Sequence, residues 1–229
     1  MKSKKAKLRL ASCLIIIAIW IILSIRAFNY QQIEINHFKD FWKLYYSAFA
    51  YGLSIGGICF LLFWLNRDKK FLINPNRPVF KQILFGLPTG IIITTIVYLT
   101  IESVIHYFYP ELDKETTQIA PFIKQSQYMP FWMLLSVIKS GFAEELLRVS
   151  ALVHFKAQWG KKGLITALIL SSVVYGFSFY YQGWDNVIAG GCRGLLFGGL
   201  FIWRGSATEL IVGHSFRDML LILVAYYVL

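Results

Sequence analysis

Two short stretches carry residues that could do chemistry. FAEELLRVS, residues 142–150, sets Glu144, Glu145 and Arg148 into an otherwise apolar run, and VGHSFRDML, residues 212–220, does the same with His214, Arg217 and Asp218. A carboxylate beside a water can act as general base, and a histidine held by a carboxylate has its tautomer fixed and its charged form supported. Residues four apart share one face of a helix, so Glu144 with Arg148 and His214 with Asp218 are the expected local pairs. Each has a bland reading beside the chemical one. Glu144 with Arg148 could be an ion pair that only holds a bundle together, and Asp218 could simply satisfy a buried histidine. Arg193 is a third isolated charge, set among glycines.

The element that must position these groups is a membrane helix. With 57% hydrophobic, 17% aromatic and 15% charged residues, the 229-residue chain is too apolar for an ordinary soluble domain. Runs of spanning length occur at 9–28, 42–65, 83–108, 129–154, 163–181, 184–203 and 206–229. The expected fold is therefore all-α, a polytopic transmembrane helix bundle of about seven spans. The fifth and sixth spans are joined by a very short connection, YYQGWDN at 180–186. No phosphate loop, dinucleotide fingerprint, long linker or fixed-period repeat breaks the chain, which reads as one domain.

The first span has the basic start and apolar run of a signal peptide, but Trp20, Arg26 and Phe28 offer no small-residue cleavage site, so it reads as a retained anchor. Lys and Arg cluster over residues 2–9, 67–81 and 156–162 and at Arg204, while 29–40 and 110–127 carry only Lys39, Lys114 and Lys124. The positive-inside rule then places the N-terminus in the cytoplasm and, with seven spans, the C-terminus outside. Topology and anionic lipid account for the net charge of +11. The lipid bilayer is the expected surrounding, and no nucleic acid is invoked.

Cys13, Cys59 and Cys192 lie in apolar spans without metal-type spacing and read as small hydrophobes. Gly52 and Gly56, Gly86 and Gly90, and Gly190, Gly194 and Gly198 recur every four residues, a spacing that lets helices approach closely. Glu102, His106 and His154 are expected at interfaces, and Lys139 and Glu209 near enough to helix ends to snorkel, with Lys139 also able to pair with a neighbouring acid.

These motifs carry a resemblance. Paired glutamates, SSVVYGFSFYYQG at 171–183, GLLFGGLFIWRGS at 194–206 and VGHSFRDML at 212–220 together resemble the CPBP family, the CAAX prenyl endopeptidases and the bacteriocin-processing or immunity proteins, over about 130–225. The resemblance implies a division into N-terminal spans, 1–125, and a CPBP-like intramembrane protease core, 126–229. The family pattern is Glu-Glu-x-x-x-Arg, then Phe-Gly-x-x-His, then His-x-x-x-Asn/Asp. Glu144 and Glu145 match the first, Tyr175 and Gly176 the start of the second, and His214 with Asp218 the third. Two departures stand out: Val149 occupies the expected arginine position, with Arg148 one place early, and Phe179 stands where the family has histidine.

In the family, a glutamate and the second-motif histidine are held to activate a water, with the last-helix residues stabilising the oxyanion. Phe179 can do neither proton transfer nor metal binding. One residue turns a helix by about 100°, so Arg148 is expected to move from the face of Glu145 toward that of Glu144 and hold it as an unreactive carboxylate. No cofactor is assigned. A zinc ion would retain only Glu144 and His214 as matched ligands, an unusual set, and is disfavoured.

The expectation is an impaired or inactive peptidase that binds a membrane protein or hydrophobic peptide, in bacteriocin immunity or cell-envelope regulation at a bacterial plasma membrane. The alternative is an active glutamate-dependent endopeptidase in which Tyr180, Tyr181 or Gln182 replaces the missing imidazole. A transporter is weaker, for want of an inverted repeat or broken helix pair.

Overall fold

The computed structural model describes residues 2–29, 38–109, 128–180 and 183–227, and they are helical apart from short turns. Helix α1 spans Lys2–Asn29 and α2 Phe38–Asn66. Helix α3 begins at Val79–Val97 and continues through a π-helical turn, Tyr98–Glu102, into Ser103–Phe108. The next helix opens as Met129–Leu135, winds as a π-helix over Ser136–Glu144, and joins Glu145–Phe177.

That last run is not one rod. Arg148 lies over the ring of Tyr175 at 4.7 Å, although 27 intervening steps of straight helix would separate them by about 40 Å. The chain reverses at Gly160, whose backbone (φ 63°, ψ −143°) is one that only glycine adopts cheaply. We therefore label 129–159 as α4 and 161–177 as α5. Helix α6 is Trp184–Arg204 and α7 Ala207–Tyr227, joined by a tight turn at Gly205.

Among the described residues, four helices are long and apolar enough to cross a membrane: Lys5–Ala27, Tyr45–Asn66, Val79–Phe108 and Trp184–Arg204. The sequence-predicted spans 129–154 and 163–181 correspond to the two legs that meet at Gly160, and 206–229 to α7, with residues 181 and 228–229 outside the described set.

The packing explains the glycine spacing. Gly90 sits directly on the backbone of Gly213, so α3 and α7 touch where neither residue has room for a Cβ. Gly52 and Gly56 face Ile138 and Phe142, and Gly190, Gly194 and Gly198 face Phe179, Ser172 and Leu168. Helices α4, α5, α6 and α7 thus share one interior, with α1 and α2 lying on α4 and α3 on α7. Cys13 and Cys59 are fully buried in it as free thiols, in the company of Ile16, Phe63 and Leu152.

Two polar junctions tie the bundle together. Ser12 on α1 accepts from Asn66 on α2 at 2.9 Å, beside an Arg9–Asp68 ion pair at 3.6 Å. At the other, Glu209 does not snorkel as expected. It is fully buried and receives Arg204 at 2.7 and 2.9 Å and Arg77 at 3.3 Å, while Gln82 accepts from Ser206 at 2.6 Å. Arg77 and Gln82, around the start of α3, and the α6–α7 turn therefore form one network. His154, expected at an interface, is instead 0% exposed, with no hydrogen-bond partner among the described residues.

Candidate functional site

The π-helical run in α4 decides which glutamate does what. In a π-helix residues five apart line up, and Lys139 Nζ meets Glu144 Oε1 at 3.3 Å across that spacing. A regular α-helix would put these two on different faces. Glu145 starts the α-helical continuation and is 0% exposed in the bundle interior.

Arg148 does not hold Glu144, as its early position led us to expect. Its Nη1 donates to Glu145 Oε1, three residues back, because positions three apart also share a helix face. The neighbours reinforce this choice: the guanidinium is sandwiched near the rings of Tyr175 on α5 (4.7 Å) and Phe197 on α6 (5.8 Å).

His214 is likewise engaged differently from the expected same-helix pair. Its Nδ1 lies 2.7 Å from Glu145 Oε1, whereas the nearest approach to Asp218 is 3.8 Å, from Nε2 to Oδ2. Nε2 is 3.2 Å from the Tyr175 hydroxyl, and Phe197 stacks on the imidazole with centroids 5.2 Å apart. Asp218 takes Arg217 Nη1 at 2.5 Å, and Arg217 Nε donates to Thr94 on α3 at 3.0 Å. Arg193 approaches Glu102 at 3.9 Å, so Glu102 is more than the interfacial residue expected from its position. The structure thus brings Glu145, Arg148 and His214 into direct contact and keeps Glu144 and Asp218 on their own partners.

Phe179 follows α5. Its ring sits edge-on to Tyr175 at 5.2 Å with the Arg193 guanidinium 5.6 Å from its centre. Of the residues considered as a replacement for the missing imidazole, Tyr180 packs on Trp184 at 5.4 Å, and Tyr181 and Gln182 lie outside the described residues. Sequence reasoning placed Tyr175 at the start of the second motif but gave it no role, and the structure brings its hydroxyl to His214. Its signal was present, because it stands at the phenylalanine position of the second motif.

A cavity of about 40 Å³ opens beside Glu144 and Arg148, floored by Ser171, Tyr175 and Ser178 of the α5 region. Such a volume admits a very few waters. Its other walls are Trp20 and Leu23 from α1 and Tyr51 from α2. Helices far from the motifs in sequence therefore complete the site.

The side chains do not fit a zinc ion. Glu145 Oε1 and His214 Nδ1 are spent on each other, His214 Nε2 faces Tyr175, and no group of three His, Cys, Asp or Glu side chains converges among the described residues.

Residues 126–220 match the family model described as type II CAAX prenyl endopeptidase, Rce1-like. No curated protein and no solved structure gives a match.

Proposed function

We propose that this CAAX-endopeptidase-like segment binds a membrane protein or hydrophobic peptide within the bilayer and cleaves it poorly or not at all. The observation that carries the reading is Phe179. A phenyl ring packed between Tyr175 and Arg193 occupies the motif position of the imidazole, so Glu144 faces the cavity without the second proton-handling group. Glu144 Oε1 is instead engaged by Lys139 Nζ at 3.3 Å.

In this reading seven spans place the N-terminus in the cytoplasm of a bacterial plasma membrane, and the chain divides into N-terminal spans, 1–125, and a protease-like core, 126–229. Bacteriocin immunity or cell-envelope regulation is the corresponding role. The basic segments 67–81 and 156–162 lie on the cytoplasmic side and meet anionic lipid.

A second reading, an active glutamate-dependent endopeptidase with an altered site, is favoured by one specific finding. Arg148 is taken up by Glu145, which leaves Glu144 on the cavity wall where a water could reach it. The two readings separate in one assay: cleavage of prenylated and leader-type peptides in detergent and liposomes, with Glu144→Gln/Glu145→Gln as the blank, alongside recovery of bound peptide. Binding without turnover is expected. Turnover that vanishes in the blank overturns the binding-only reading.

A further inference from the structure

A groove of about 520 Å³ runs between α3 and α6, away from the motif residues. Phe85, Thr89 and Ile93 line one wall, and Leu196, Gly199 and Trp203 the other. Gly199 keeps it open, because a Cβ there would meet nothing within 4 Å. The Thr89 hydroxyl is turned back onto the carbonyl of Phe85 at 2.6 Å, so the inner walls present hydrocarbon. Both walls belong to helices long and apolar enough to span a membrane. An empty groove at that depth forfeits dispersion contacts along its whole length, so an apolar chain is the occupant that fits.

The dimensions say which kind. From Phe85 to Ile93 is about 12 Å of helix, close to the roughly 15 Å depth of one leaflet's hydrocarbon and far short of a full span. Spread over that length, the volume leaves about 40 Å² in section, whereas a helix about 10 Å across needs roughly 80 Å². The groove therefore suits the hydrocarbon chain of a lipid and is too short and too narrow for a partner's transmembrane helix.

Charge at its mouth says which lipid. Lys81 is exposed and lies one turn before Phe85 on the same face of α3. At the same end the Arg204 guanidinium lies 3.8 Å over the Phe85 ring and 5.5 Å from that of Trp203, which is 73% exposed. Arg204 and Arg77 share the single acid Glu209, so this junction keeps one formal positive charge beyond that of Lys81. An aromatic residue and cations at the rim are what a headgroup region meets.

We infer that the α3–α6 groove is a binding site for an anionic phospholipid, with an acyl chain between Phe85 and Gly199 and its headgroup at Lys81 and Arg204. This goes beyond the proposed function, since the groove shares no lining residue with the cavity at Glu144. The full chain is reconstituted in zwitterionic nanodiscs doped with phosphatidylglycerol carrying a diazirine on its acyl chain, and crosslinks are mapped by mass spectrometry beside the phosphatidylcholine counterpart. Labels should concentrate on the groove faces of α3 and α6, with phosphatidylglycerol favoured at least about tenfold. Lys81→Gln, a surface change, should lower that preference about fivefold. Gly199→Phe fills the groove and should cut labelling there at least about tenfold while leaving other lipid-facing helices unchanged. Equal labelling by the two lipids, labels spread evenly over all lipid-facing helices, or undiminished groove labelling in folded Gly199→Phe would each overturn the inference. Displacement of the label by a farnesylated peptide, with no dependence on Lys81, would give the groove to a partner's chain and overturn it as well. None of these outcomes bears on peptide cleavage, so failure here and failure of the proposed function are separable.

Discussion

Replacing Arg148 with Met isolates the charge balance at the centre of the bundle. Arg148 is 3% exposed and Glu145 0%, and the carboxylate's Oε1 receives both Arg148 and His214 while Oε2 has no partner. Methionine keeps most of the apolar stem and removes the guanidinium, leaving the buried Glu145 side chain with His214 as its remaining contact. Breaking a buried pair from one side costs about 3–5 kcal/mol, because the remaining charge stays desolvated. At roughly 2–4 °C per kcal/mol for a chain of this size, the unfolding midpoint should fall by about 6–20 °C. The assay is thermal unfolding in nanodiscs, followed by tryptophan fluorescence. The companion variant is Arg148→Met/Glu145→Gln, which removes both charges and keeps an acceptor for His214. It should recover most of the loss, since a buried pair replaced on both sides is often neutral in net effect. A single-variant cost below about 1 kcal/mol, or a double variant worse than the single, would refute the pairing of Arg148 with Glu145 as the main electrostatic contact of the core.

Gly160→Ala should destabilise by about 1–3 kcal/mol in the same melt, since alanine resists φ 63°, while Gly199→Ala, in helix α6 with nothing within 4 Å of its Cβ, should not. Glu209→Ala leaves Arg204 and Arg77 without their shared carboxylate and should cost about 3–5 kcal/mol; a near-neutral result would remove the junction from the fold's stability. Phe179→His should raise peptide cleavage by at least about tenfold without any change at 148, and adding Arg148→Phe with Val149→Arg should give no further gain, because Arg148 already serves Glu145. Cysteines placed at 69 and 161 should resist an impermeant reagent in intact cells, and labelling there would reverse the proposed orientation.

The apolar composition and the helix-length runs make the membrane setting and the all-helical class legible in the chain itself, because a bilayer forces backbone groups into helices and few residue types can face lipid. The basic stretch 156–162 marks the reversal, though only the backbone at Gly160 shows how tightly it turns. Glu144, Glu145, His214 and Asp218 are likewise visible, since charges in apolar helices are costly enough to stand out. Partner choice is not. Spacing allows Arg148 to reach back three or four residues, and the decision fell to Tyr175 and Phe197 on other helices. Counting at 3.6 residues per turn also cannot anticipate the π-helix that brings Lys139 onto Glu144. Tyr175 against His214, Glu102 against Arg193, and Trp20 and Tyr51 on the cavity wall come from segments 39 to 124 positions away from their partners or from Glu144. Local sequence fixes which faces of a helix are polar, but which faces meet is set by how seven helical legs, among the described residues, pack around their glycines.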